Sequence, residues 1–168
     1  MGLRDVRKEL ELLEKQSIIH HLIELYKRYP KVKEYLDFFV HPDEAALLEA
    51  YKLKVHEGFY PARGKRLKLY RSRKAMNDFK KLAISPEAVA SLLLYFPQVA
   101  VVYAREKSVK TESYYTRIET SFRGALEFMV ANNLTEHYRL DIEHLVERCA
   151  PFPWNCQHHM QTIRDTFF

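Results

Sequence analysis

The chain has 168 residues, 47% of them hydrophobic and 29% charged, and carries a net charge of +5. A chain of this length buries on the order of two thirds of its unfolded surface, so it needs neither disulfides nor a metal to hold a single domain together. Only four glycines occur and β-branched alternation is scarce, which leaves little material for hairpins or glycine-rich phosphate loops and makes helices the expectation.

The charge is unevenly placed. Arg63 to Lys81 holds nine cations against Asp78 alone, a local +8 that leaves the remainder of the chain at −3. No charged n-region, apolar run and small-residue cleavage site opens the sequence, and Cys149 and Cys156 are its only cysteines. A soluble cytoplasmic protein with reduced thiols is the expectation.

In chain order, Leu3, Val6, Leu10 and Leu13 form a narrow helical seam, and Ser17 reads as the cap of a second helix carrying Ile18, Ile19, Leu22, Ile23, Leu25, Tyr26 and Tyr29. Pro30 stops that helix, and Val32, Tyr35, Leu36 and Phe39 repeat on a third. Leu47, Leu48, Tyr51 and Val55 bury a fourth, which Gly58 is expected to end. A basic connecting segment follows at 58–72, irregular from Phe59 to Gly64, with Ser72 as the expected N-cap of a fifth helix that turns Ala75, Met76, Phe79 and Ala83 inward.

The dominant element is 85–103, SPEAVASLLLYFPQVAVVY, which has no charged side chain between Glu87 and Arg105. Val89, Leu92, Leu93, Phe96, Val99, Ala100 and Tyr103 make a continuous stripe, and Ala90, Leu94, Tyr95, Val101 and Val102 cover much of the rest, as in the central helix of a bundle. Ser85 caps it, Pro86 suits its first position and Glu87 faces its dipole. A membrane span needs roughly 20 mostly apolar residues, but Pro97, Gln98, Ser91 and two tyrosines argue for a protein core, with Pro97 a kink or a break.

Arg105 to Glu112 reads as a loop. A long helix then places Tyr115, Ile118, Phe122, Ala125, Leu126 and Met129 inward, with Gly124 permitting close helix contact. Thr135 reads as the cap of a helix burying Tyr138, Ile142, Leu145, Val146 and Cys149, and Pro151-Phe152-Pro153 breaks the chain before a last helix with Cys156, Met160, Ile163 and Phe167 inward. The fold class is therefore all-α, one domain over 1–168 of about eight or nine helices, as an irregular bundle or a short array of antiparallel hairpins around a buried central helix.

Leu3-Arg4-Asp5 with Lys8-Glu9-Leu10, Val32 to Phe38 (VKEYLDF), Phe59-Tyr60-Pro61 and Asn77 to Leu82 (NDFKKL) carry a resemblance over nearly the whole length. The chain resembles a family of small bacterial helical proteins of unknown function. That resemblance implies an all-helical fold in a bacterial cytoplasm and supplies no reaction, cofactor or partner.

Several constellations compete for a function. Cys149, Cys156, His158 and His159 bring metal-ligand types within eleven positions, the basis for a zinc site or a metal-dependent enzyme. Both cysteines fall on apolar stripes, however, and no Cys-x-x-Cys turn is present, so no metal or cofactor is expected. Asp141 and His144 give one acid-x-x-His step where a di-iron bundle needs two, and His137, like His20 and His21 beside Glu24, reads as a structural histidine. Walker loops, HExxH, nucleophile elbows and Rossmann fingerprints are absent, which nominates no enzyme and no catalytic residue. The principal expectation is a non-catalytic interaction or scaffold module that meets a protein partner or a second copy of itself. The alternative is non-specific binding of nucleic acid or another polyanion through 63–81, by Arg63, Lys65, Arg66, Lys68, Arg71, Arg73 and Lys74 with Tyr60 or Tyr70 as a stacking ring.

Overall fold

A computed structural model describes residues 2–63, 66–82 and 84–168. Among them are nine α-helices: α1 (Leu3–Glu11), α2 (Lys15–Arg28), α3 (Pro30–Val40), α4 (Glu44–Phe59), α5 (Leu69–Phe79), α6 (Pro86–Lys107), α7 (Glu112–Ala131), α8 (Arg139–Glu147) and α9 (Cys156–Phe167). The fold is all-α, an irregular bundle with a buried central helix, and the chain divides into two compact units, 1–43 and 44–168. Ala83, expected inward on α5, lies outside the described residues.

The larger unit is organised by α6, which packs against α4, α5, α7 and α8, while α7 and α8 both pack against α9. Val89, Leu92, Leu93, Phe96, Val99 and Ala100 are buried, and so are Ala90, Leu94 and Val101 on the other side of the helix. By length and composition α6 could cross a membrane, with a mean hydropathy of 1.5, yet 67% of that stretch is buried inside the protein. It is the core helix of a bundle.

Its start is marked as the sequence implies. Ser85 Oγ accepts from the Ala88 amide at 3.2 Å and donates to Glu44 Oε2 at 2.5 Å, while the Ser85 amide donates to Glu44 Oε1 at 2.6 Å. A carboxylate from the first turn of α4 thus joins the cap and complements the positive end of α6.

Of the two readings of Pro97, the break is corrected, and so is the expected start of the following loop at Arg105. The helix runs unbroken through Pro97, because the cost of one lost amide, about 3 kcal/mol, is outweighed by burial against four neighbours. It also continues through Arg105 to Lys107 and stops at Ser108, in the left-handed region at φ 46°, so polarity marks exposure of its last turn and not a loop. The stripes of α7, α8 and α9 are buried as read except that Phe167 is half-buried against the core, and Tyr114 joins them by donating its hydroxyl to Ala100 O at 2.9 Å. Gly124 has open space around it, and its expected close helix contact does not occur. Residue 135 caps nothing, since α8 begins four residues later with Tyr138 as its N-cap.

The smaller unit holds α1 and the α2–α3 pair. Glu14, not Ser17, precedes α2, and Tyr29 alone joins α2 to α3, extended ahead of Pro30 as the proline demands. Tyr26 donates its hydroxyl to Asp37 Oδ1 at 2.8 Å across the pair.

Two outcomes test this packing. Phe96 lies 5.1 Å from the Phe59 ring and is 2% exposed, so Phe96→Ala is expected to cost about 3–5 kcal/mol in chemical denaturation. Gly58→Ala is expected to cost about 1–3 kcal/mol by overpacking, since its Cβ would meet Ser72 Oγ at 1.9 Å. Combined with Ser72→Ala, the loss should fall well short of additive, and strict additivity would mean the two helices do not meet there.

Candidate functional site

The +8 segment is positioned by one close approach between helices. Gly58 lies inside the last turn of α4 and does not terminate it, and Ser72 lies one turn inside α5 and does not cap it. Ser72 is fully buried and donates its hydroxyl to Val55 O at 2.7 Å, against the bare Cα of Gly58. The Lys68 amide donates to Gly58 O at 2.7 Å. The sequence signals were real but misassigned: a small residue and a hydroxyl, read as helix punctuation, are the two halves of a helix contact.

That contact trims the connection to 60–68 and turns Leu69, Ser72, Ala75 and Phe79 toward the core. Tyr70, Arg71, Arg73, Lys74, Lys80 and Lys81 are left exposed on or just beyond α5. Arg63 and Arg66 are exposed in the connection, Lys68 is the half-buried N-cap of α5, and Lys65 lies outside the described residues. Lys74 pairs with Asp78 at 3.1 Å, whereas Arg63, Arg66, Arg71, Arg73 and Lys81 make no ion pair among the described residues.

The structure separates the two candidate stacking rings. Tyr70 is 65% exposed, with the Arg71 guanidinium 6.0 Å from its ring and Arg71 Nε donating to its hydroxyl at 3.3 Å, a contact that lowers the phenol pKa. Tyr60 is engaged elsewhere. It stacks on His56 at 4.6 Å, meets Tyr103 edge-on and donates its hydroxyl to Glu106 Oε2 at 2.6 Å.

Tyr60 belongs instead to a mixed polar and apolar cleft of about 620 Å³ between α4 and α6. His56, Tyr95, Gln98, Glu106 and Arg148 share its lining. Burial, then the Glu106 carboxylate, pushes the Tyr60 phenol well above its ordinary value, so at neutral pH it donates hydrogen bonds and is no nucleophile. No sequence spacing announced this cleft, because its members come from three separate stretches of the chain.

In the tail, Cys149 and Cys156 are both buried free thiols, while His158 and His159 are exposed. Cys149 Sγ donates to Leu145 O at 3.4 Å, and the Cys156 thiol pKa is driven up by its hydrogen bond to Cys149 and by burial. His159 Nδ1 sits 3.0 Å from Glu119 Oε1. His137, Asp141 and His144 are exposed on or near α8. Among the described residues no three His, Cys, Asp or Glu side chains converge as a metal-ligand set.

The unit 1–43 presents a different kind of surface. None of its described residues is buried, and Ile19, Leu22, Ile23, Leu25, Phe39 and Val40 are each at least 38% exposed. Sequence periodicity located these stripes correctly on their helices but assumed that each had a cover.

No curated protein and no solved structure matches the chain. The all-helical expectation carried by the resemblance holds, and a family model matches from the first residue to the last. Over residues 1–168 the chain belongs to a family of unknown function, DUF6155.

Proposed function

We propose that this protein is a non-catalytic, cytoplasmic helical interaction module whose α2–α3 pair assembles with a second copy of the chain. The observation that carries the reading is the unit 1–43, with its exposed apolar residues and no buried one among its described residues. Helical segments near roughly 40 residues do not bury enough surface to be stable alone and are usually stapled or oligomeric. This unit contains no cysteine to staple it.

Charge favours a like partner. Residues 1–43 hold eight Lys or Arg and eight Asp or Glu, so two copies approach without net repulsion. Within each helix the charges already pair, as Arg7 does with Glu11 at 2.9 Å and Lys27 with Glu24 at 3.2 Å. A lipid surface would call for a polar face dominated by lysine and arginine, which this unit lacks. Two α2–α3 pairs joined through Leu22, Ile23 and Phe39 make a four-helix arrangement, the usual solution for such faces.

A second reading rests on α5. Arg71, Arg73 and Lys74 are exposed on a helix locked to α4, Arg63 and Arg66 are exposed in the connection before it, and all but Lys74 have no anionic partner among the described residues, which supports phosphate contacts by these five with Tyr70 as the stacking ring.

Sedimentation equilibrium tests the first reading. A concentration-dependent dimer is expected, converted to monomer by Leu22→Glu with Phe39→Glu while the melting of 44–168 is unchanged. A wild-type monomer at every concentration, or one whose α2 and α3 amides are protected by the rest of the same chain, overturns it. For the second reading, oligonucleotide affinity should fall with salt at a log–log slope of roughly −3.5 to −4.5 if about five phosphates are neutralised. A slope near zero, or one unmoved by Arg71→Gln with Arg73→Gln, removes it.

A further inference from the structure

At the C-terminal end of α6 lies a second cleft, of about 810 Å³, between the α6–α7 connection and the α8–α9 connection. From its lining we infer that it is a binding site for a small organic anion with a flat apolar body, such as an aromatic carboxylate. This inference is independent of the assembly proposed above, since every residue involved lies within 44–168.

The apolar part of the cleft is built and held. Tyr115, Phe152 and Trp154 supply three rings, with Val109 and Pro153 between them. Phe152 packs on Tyr115 at 5.5 Å, and Tyr115 donates its hydroxyl to Val109 O at 2.6 Å. Trp154 is 48% exposed, yet its Nε1–H donates to Lys110 O at 3.0 Å, which ties the indole across the opening to the other connection.

The backbone beneath the indole is strained. Trp154 has φ 62° and Asn155 φ 50°, and a bulky residue in the left-handed region persists only where its surroundings fix it. Pro153 ahead and the indole hydrogen bond behind do so here. Without that conformation the ring would leave the cleft, so the strain serves to present an aromatic face.

The polar part of the lining has one sign. Arg105 and Lys110 line the cleft, and the described lining residues include no carboxylate. Arg105 is oriented by donating to Arg148 O at 3.3 Å, and neither cation makes an ion pair among the described residues. One oriented guanidinium and a second cation beside three rings match one anionic group on an aromatic body. The volume lies within the range of small-molecule sites, roughly 300–1,000 Å³.

Trp154 is the only tryptophan in the chain, so its fluorescence reports on this cleft alone. The full-length protein is titrated with 3-phenylpropionate, with its neutral amide 3-phenylpropanamide, and with inorganic phosphate. Saturable change is expected with phenylpropionate at a Kd of about 1 mM or tighter, the amide binding about tenfold more weakly and phosphate leaving the spectrum unchanged. Arg105→Gln with Lys110→Gln, both exposed positions, should abolish the preference for the acid and leave amide binding as it was. Equal affinity for acid and amide, a preference that survives loss of both cations, or no saturable change with phenylpropionate up to about 10 mM would each overturn the inference.

Discussion

Covering α6 is the constraint on which the larger unit depends. A helix of 22 residues with apolar side chains on nearly every side must be enclosed, and each large side chain enclosed contributes about 1.5–3 kcal/mol. Four helices supply the cover, and charged side chains are confined to its ends: Glu87 at one, where Glu44 joins the Ser85 cap, and Arg105, Glu106 and Lys107 at the other. Where the surrounding helices place their outer faces follows from this enclosure. The cationic face of α5 exists because the opposite face of that helix is committed to α4.

Most of the tyrosines serve the same enclosure. Tyr114 donates to Ala100 O, Tyr115 to Val109 O and Tyr138 to Glu87 O, so each ring adds apolar area while its hydroxyl ends on a backbone carbonyl. Burial pushes the Tyr114 phenol far above its ordinary value, which keeps the donor protonated. Many of the aromatic rings are therefore committed to the core. Among the described residues of 44–168, Tyr70, Trp154 and Phe168 are the rings that remain exposed, Tyr70 beside Arg71 and Trp154 across a cleft.

The two units represent opposite ends of a surface-to-volume balance. In 44–168 the hydrophobic cluster is continuous from Tyr51 to Ile163. In 1–43 the amphipathic helices bury none of the described residues completely, because three short helices cannot surround one another. The same periodicity thus yields a core in one stretch and exposed apolar stripes in the other.

The sequence by itself determined the helical class, the capped start of α6, and the buried stripes of α7, α8 and α9, because these follow from spacing and local hydrogen bonding over a few residues. It also located the concentration of positive charge between Arg63 and Lys81. Tertiary structure decided the rest. Gly58 and Ser72 looked like an end and a beginning, and only their meeting across 14 residues reveals a helix contact. Pro97 read as a kink or a break and the polar run from Arg105 as a loop, and one helix continues through Pro97, where it is buried, and through Arg105 to Lys107, where it is exposed. Tyr60 was grouped with the basic segment by proximity in sequence, while its ring and hydroxyl belong to α6 through Tyr103 and Glu106. The two clefts assemble from connections and helix faces far apart in the chain, and no local pattern encodes a distance between them.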